Sequence, residues 1–508
     1  MELVVPSFPS FPYLQIISLL LLFLLCFLFL RKSRAAKSNC QYPPGPWKLP
    51  LIGSLHHLAT SSLPHHALRA LARFHGPVML LRAGETDLVV ITSREAAREA
   101  MKTQDANFAN RPVLSAAYIL AYGCTDIGFS NGAYWRQLRR ICVTELLSMK
   151  RVRSFSAIRH EEINHMLKRL GASPGKSPVN MSAEIGELTN NIVTRAAFGE
   201  KSNRAAMFLE NMKEALELAS GFSLSDLFPS LSWLDVNMRR KLARIHRNLD
   251  MILEETLQEH LKTRQNQKEE IEYDLIDVLI EAKEHGDLEV PITLDNIKAV
   301  ILDMFTGGTD STSAAIEWIM SELIKNPDTM AKAQSEIRNA QTENIKFDEN
   351  CPGYLKLVIK EALRMHPVLP LLIPRLCKET CQLLGYTIPS GARVVINAWA
   401  LGRDPDYWDD AEKFKPERFE NCAADFKGNN LEFVPFGAGR RICPGMDFGL
   451  AVVEVALTRL LLHFDWELPN GAKPEDLDMT ETYGTVSARK QPLYLIPKLQ
   501  VPLPDVQM

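Results

Sequence analysis

The stretch Phe433-Val-Pro-Phe-Gly-Ala-Gly-Arg-Arg-Ile-Cys-Pro-Gly-Met446 puts a single thiol, Cys443, just ahead of the apolar run 448–462. Gly437, Gly439 and Gly445 let the backbone bend tightly and approach a flat group closely, and Pro444 can open the helix that the run predicts. A thiol at the mouth of that helix meets the positive end of its dipole and nearby donors. Both favour thiolate, the form that binds a metal. Arg441 is suited to pairing with a carboxylate on the same bound group. A Gly-rich turn carrying a buried structural cysteine is the competing reading. Zinc is disfavoured, because no second Cys or His stands at ligand spacing nearby.

Three further groupings carry chemistry. Trp135 and Arg139 are four apart on a predicted helix, so they share a face and can converge on one anion, or form a plain cation–π pair. Gly307-Gly308-Thr309-Asp310-Ser311-Thr312 interrupts an apolar helix predicted over Thr293 to Lys325. Two glycines there cost about 1 kcal/mol each relative to Ala. A local opening for oxygen, water or ligand would account for that cost, as would a kink with hydroxyls bonding back to carbonyls. Glu361 and Arg364 are three apart on a helix ended by His366-Pro367, and Arg418 lies in Phe414-Lys-Pro-Glu-Arg-Phe419. Such an i, i+3 pair is easily formed.

Phe436, Gly439, Arg441, Cys443 and Gly445 fill every position of Phe-x-x-Gly-x-Arg-x-Cys-x-Gly, and with it the chain resembles the cytochromes P-450. The likeness runs from about Pro43 to the C-terminus, with the other motifs in the family's order, and is greatest to the plant microsomal group. It implies a mostly α fold with a small β region, and haem b held between the long helix and the Cys443 loop by the Cys443 thiolate. It further implies that Trp135, Arg139 and Arg375 serve the haem propionates. Asp310, Ser311 and Thr312 would form the oxygen and proton-delivery motif, with Ser311 where Thr is usual. Glu361, Arg364 and Arg418 would form a structural core network. The implied reaction is hydroxylation or a related oxidation by dioxygen. Electrons would come from NADPH through a separate flavoprotein reductase, with cytochrome b5 as a second candidate donor. No flavin or nicotinamide fingerprint is present in the chain.

Placed by the same family pattern, the pocket is expected to be lined by Val113, Leu114, Ile119, Ile301, Met304, Phe305, Leu369, Leu372, Ile373 and Val486. That uncharged, mostly aliphatic set favours a bulky apolar skeleton. A terpenoid is the first expectation and a phenylpropanoid or other aromatic the second. Two other function classes fit a haem-thiolate protein: an isomerase or dehydratase that needs no reductase, and a haem sensor or apolar-ligand carrier. Asp310 beside a hydroxyl argues against both.

The elements that must position these residues are also legible. With 508 residues and 46% apolar composition the chain can bury a large core, and a net charge of −3 argues against nucleic-acid binding. Nine scattered cysteines read as free thiols in a reducing compartment. Residues 11–30 are uncharged and apolar, long enough to cross about 30 Å of hydrocarbon. Arg31, Lys32, Arg34 and Lys37 follow, so the expectation is a retained single-pass anchor with residues 1–10 luminal and the bulk cytosolic, in the endoplasmic reticulum membrane. Residues 31–46, ending in Pro43-Pro-Gly-Pro46, read as a basic and proline-rich linker, and 47–508 as one catalytic domain. Strand-like runs at Pro77–Leu81 and Leu88–Thr92 predict a small sheet. Residues 112–130 read as a long loop, and residues 161–261 as helical with a break near 221–229. Arg136, Arg140, Lys150, Arg151 and Arg153 form a basic face, solvated by default, on which an acidic redox partner is the second reading.

Overall fold

The two strand-like runs pair antiparallel as β1 (Val78–Ala83) and β2 (Thr86–Ile91). Gly84 turns between them at φ +61°, where a side chain would be strained and a Cβ would press on the Leu227 carbonyl. The computed structural model describes residues 18–23, 41–58, 63–172, 177–199, 203–219, 223–266, 274–284, 288–342, 351–482, 484 and 486–504. Seven further strands follow: β3 (Val179–Asn180), β4 (Arg375–Leu376), β5 (Cys381–Leu383), β6 (Tyr386–Ile388), β7 (Arg393–Ile396), β8 (Phe464–Glu467) and β9 (Tyr494–Leu499). Among the described residues they form a four-stranded sheet in the order β1-β2-β7-β4, a β3-β9-β8 sheet and a β5-β6 hairpin. The parallel pair β2/β7 sets Val89 against Val394 and Val90 against Val395. Val89, Val90 and Ile91 have no exposure, which explains their unbroken apolar run; each is worth about 1.5–3 kcal/mol of burial.

Helices make up most of the rest. Those that position the site are α1 (Ser115–Leu120), α2 (Gly132–Ile141), α3 (Met181–Phe198), α4 (Leu294–Gly308), α5 (Asp310–Lys325), α6 (Gly353–Met365) and α7 (Met446–His463). One large apolar core joins α3 to α7. Thr293 starts α4 through a reciprocal cap, its hydroxyl accepting the Asn296 N–H while Asn296 Oδ1 accepts the Thr293 N–H at 2.9 Å. From Ala314 to Ile324, α5 is buried on every side, and Trp318 donates to the Ser487 carbonyl at 2.9 Å. Such a helix has neighbours all round.

Several expectations need correction. The helix expected to run unbroken from Thr293 to Lys325 is two segments, divided at Thr309 (φ −90°, ψ −76°), whose own hydroxyl bonds back to the Phe305 carbonyl at 2.8 Å. The supposed loop 112–130 contains α1. The cap of α1 is tertiary, the Ser115 N–H donating to Asp226 Oδ1 at 2.8 Å, so no local signal announces it. Pro444 does not open α7, which begins at Met446 behind a Gly445 cap. Among the described residues helix recurs between 156 and 266, as expected, and the described part of the expected break near 221–229 carries a short helix, Leu224–Leu227, followed by a 3-10 stretch, Pro229–Asp235. Of the apolar segment 11–30 only 18–23 is described, helical with exposed side chains. Among the described residues no helix is long and apolar enough to cross a membrane. The expected luminal stretch 1–10 and the basic part of the linker, 31–40, lie outside the described residues.

Candidate functional site

Cys443 is held by its backbone, whose N–H donates to the Phe436 carbonyl at 2.9 Å. Gly439 turns the loop at φ +70°, and a Cβ there would strike the Met101 carbonyl and the Asp105 carboxylate. Gly445 has open space where a Cβ would stand. The sulfur is exposed, yet enough protein surrounds it to desolvate the thiol. Both hold together if Cys443 lies on the wall of an internal void. Burial pushes the thiol up, with the Gly445 N–H and Arg139 pulling it down less strongly. The donors expected at the helix start do pull the thiol down, through the Gly445 N–H, but in the metal-free protein desolvation opposes them and is the larger effect. A coordinated metal ion would itself deprotonate the thiol.

Three guanidinium groups crowd beside it. Arg441 lies over the Trp135 ring at 3.8 Å and donates to the carbonyls of Ala109 (2.7 Å) and Ser130 (2.6 Å) and to Asn131 Oδ1 (3.0 Å). Burial, then Arg375 and Arg139, push it down to about 9. Arg375 pairs with Asp105 at 2.9 Å and donates to the Ala438 carbonyl at 2.7 Å. Arg139 has neither a hydrogen bond nor a carboxylate partner among the described residues, and burial lowers it too. Trp135 Nε1 is buried without a partner. Crowded cations, an unpaired Arg139 and an orphaned indole N–H together fit an anion-bearing planar group next to the Cys443 sulfur. The donor set therefore suits haem, with its propionates toward Trp135, Arg139 and Arg441.

The second candidate element is the α4–α5 junction. Gly307 and Asp310 are exposed although the helix crosses the interior, and a Cβ on Gly307 would meet nothing within 4 Å. Burial raises Asp310, with Lys213 opposing. The Ser311 hydroxyl donates back to the Gly307 carbonyl. Thr312 is buried on the other side, its Oγ1 3.6 Å from where a Cβ on Gly449 of α7 would stand.

The structural triad is assembled as expected. Arg364 grips Glu361 with two bonds of 2.8 Å, and Arg418 Nε donates to Glu361 Oε1 at 2.9 Å, all three side chains being buried.

The segments expected to line the pocket are tied together. Arg111 Nη1 donates to the Pro374 carbonyl at 2.8 Å, joining the 112–130 segment to 369–374, and the Ser487 N–H donates to the Val368 carbonyl at 2.8 Å. Leu114, Ile119, Met304, Leu369, Leu372, Ile373 and Val486 are half-buried. Val113 is exposed, while Ile301 and Phe305 sit in the core, Phe305 against Phe198 and Phe208.

Sequence reasoning missed Arg111, Asp105, Asp126 and Asp303. Asp303 was visible as a lone charge inside Ile301-Leu-Asp-Met-Phe305; the other three carry no local signal.

The cytochrome P-450 family model matches residues 43–496. Desmethyl-deoxy-podophyllotoxin synthase from Sinopodophyllum hexandrum is 52% identical over 482 residues, 93% of this chain and 94% of that protein. Premnaspirodiene oxygenase from Hyoscyamus muticus is 49% identical over 483 residues, covering 93% and 96%. The 5-epiaristolochene 1,3-dihydroxylase from Nicotiana tabacum is 49% identical over 484 residues, also 93% and 96%. A zebrafish cytochrome P-450 structure with abiraterone superposes with a TM-score of 0.73 at 23% identity, over 87% of this chain and all of that one; this shows the fold.

Proposed function

The chain belongs to the cytochrome P-450 family and is a haem-thiolate monooxygenase; from that premise we propose that it oxidises a terpenoid at the void between Cys443 and the α4–α5 junction. Haem, when bound, supplies reductive activation of dioxygen. The Cys443 sulfur would hold the iron, and Trp135, Arg139 and Arg441 would orient the propionates. Ser311 Oγ, beside Asp310, holds the water that delivers a proton, after giving up its bond to Gly307. The residues walling the pocket admit an apolar skeleton and exclude bulk water.

The observation that carries the substrate class is that Leu114, Ile119, Met304, Leu369, Leu372 and Val486 are uncharged and only half-buried, on segments bonded to one another. Two relatives named for premnaspirodiene and 5-epiaristolochene support it. The relative named for desmethyl-deoxy-podophyllotoxin makes an aromatic skeleton the second reading. Difference spectra and product formation with premnaspirodiene, 5-epiaristolochene and a panel of aromatics, in membranes supplied with NADPH and a flavoprotein reductase, test the choice. Binding and oxygenated product are expected with the terpenes. Binding confined to the aromatics would sink the terpenoid reading.

The proposed setting is the endoplasmic reticulum membrane, with residues 11–30 as anchor, 47–508 facing the cytosol and a reductase docking on the basic face from Arg136 to Arg153. Exposed Trp47, Leu51, Trp233 and Leu234 support it. Their segments meet at the β1–β2 turn, where the Gly84 N–H bonds to the Ile52 carbonyl and the Glu85 N–H to the Leu227 carbonyl. Large apolar side chains clustered on one edge suit a lipid surface.

A further inference from the structure

Two carboxyl groups from opposite walls of the pocket meet in the interior. Asp303 projects from α4, one residue before Met304, and its Oδ2 accepts the backbone N–H groups of Ile127 (2.6 Å) and Gly128 (3.1 Å). Asp126, buried in that same loop, accepts the Phe129 N–H at 3.2 Å. A Cβ on Gly128 would stand 3.1 Å from Asp126 Oδ2 and 3.6 Å from Asp303 Oδ1, so both oxygens reach the same small space. Ionised carboxylates only accept hydrogen bonds, so two carboxyls that border one buried space can bond to each other only by holding a proton between them. We propose that Asp126 and Asp303 share one proton, and that this carboxyl–carboxylate bond latches the 112–130 segment onto α4. Asp303 is then a positioning residue for the pocket wall.

The surroundings decide where the proton sits. Arg111 from the same loop and Arg441 from the Cys443 loop act on Asp126, as does Cys124. Tyr134 of α2 faces both carboxyls, while Cys142 faces Asp303 and Arg139 faces Cys142. Cations thus favour charge on Asp126, and Asp303 keeps the proton. Burial, then the charge of Asp126, pushes Asp303 well above the carboxylate range, and burial pushes Asp126 to about 6. The sign follows: a group raised in the latched state contributes fully at low pH, and its contribution is lost as pH rises through the latched titration. Above it, two charges would face each other in a poorly solvated space.

Backbone hydrogen exchange in the full-length, haem-loaded protein tests this, read as protection factors for peptides spanning 112–130 between pH 6.5 and 9.5. Wild-type protection should fall by up to about tenfold per pH unit above the titration. Asp303→Asn should hold it constant, because the amide nitrogen donates to Asp126 and the amide oxygen accepts the two loop N–H groups at any pH. Asp126→Asn should do the same from the other side, and decides the matter if Asp303→Asn does not fold. Premnaspirodiene affinity, read by difference spectrum, should follow protection. That arm alone rests on the substrate reading, and a silent spectrum with the expected exchange pattern would indict the substrate and not the latch. Protection that is flat with pH in wild type, or that falls equally in the variants, overturns the proposal.

Discussion

Ser311→Ala should uncouple the enzyme, and the size of the effect can be worked from the helix junction. The Ser311 hydroxyl is engaged with the Gly307 carbonyl, and a net hydrogen bond is worth about 1 kcal/mol, so about one hydroxyl in six is free at a given moment. A positioned general acid typically contributes about 100-fold or more, which this occupancy reduces to about 15-fold. Product per NADPH should therefore fall by about that factor in Ser311→Ala while NADPH is still consumed, with the missing electrons recovered as hydrogen peroxide. Haem content and substrate binding should hold, since Ala suits a helix better than Ser. Thr312→Ala is the control. Its hydroxyl packs toward Gly449 of α7, away from Gly307 and Asp310, so the change should cost stability and spare coupling. Ser311→Thr should keep coupling or raise it, the added methyl restricting the rotamer. Unchanged coupling in Ser311→Ala with collapse in Thr312→Ala would refute the reasoning and move the relay one residue along.

Three further outcomes are expected. Glu361→Ala strands two buried guanidiniums and the Lys415 N–H, which donates to Glu361 at 2.8 Å, so chemical denaturation should show a loss of about 3–5 kcal/mol, against under about 1 kcal/mol for Arg244→Ala at its exposed pair with Glu214; equal losses would contradict the triad's role. At His260 burial opposes charge, but the 2.7 Å bond to Asp274 outweighs it and raises the group to about 9; the stability lost in His260→Gln should be full below the ordinary value near 6.5 and vanish as pH rises through 9, so a difference unchanged between pH 6 and 10 would exclude this pair. Deleting residues 1–30 should move the protein toward the soluble fraction with haem retained, and complete haem loss on fractionation would show that the anchor and the domain are not separable.

The legible parts of the chain were those where local chemistry and tertiary role agree. Strand-like apolar runs located β1 and β2, the helical pattern from Thr293 located the start of α4, and the glycines around Cys443 announced a tight loop, Gly439 sitting at φ +70°. What stayed hidden depends on distant partners. α1 is capped by Asp226, more than a hundred residues away in the chain. Arg375 meets Asp105, and Arg111 meets carbonyls near Pro374, contacts that no spacing reveals. At Cys443 the sequence shows the helix that follows and its donors, whereas the desolvation that opposes them comes from the whole fold.

The central claim is that Cys443 is the residue whose thiolate would hold haem iron, and the reduced carbon-monoxide difference spectrum of Cys443→Ser tests it most directly. Wild type should give the absorption typical of thiolate-ligated haem, and the variant should lose it even where haem is retained, because a neutral hydroxyl cannot supply the same electron density. Cys377→Ser and Cys381→Ser, at the described thiol pair 4.0 Å apart, should leave the band in place. A thiolate-type band that survives in Cys443→Ser would contradict the account.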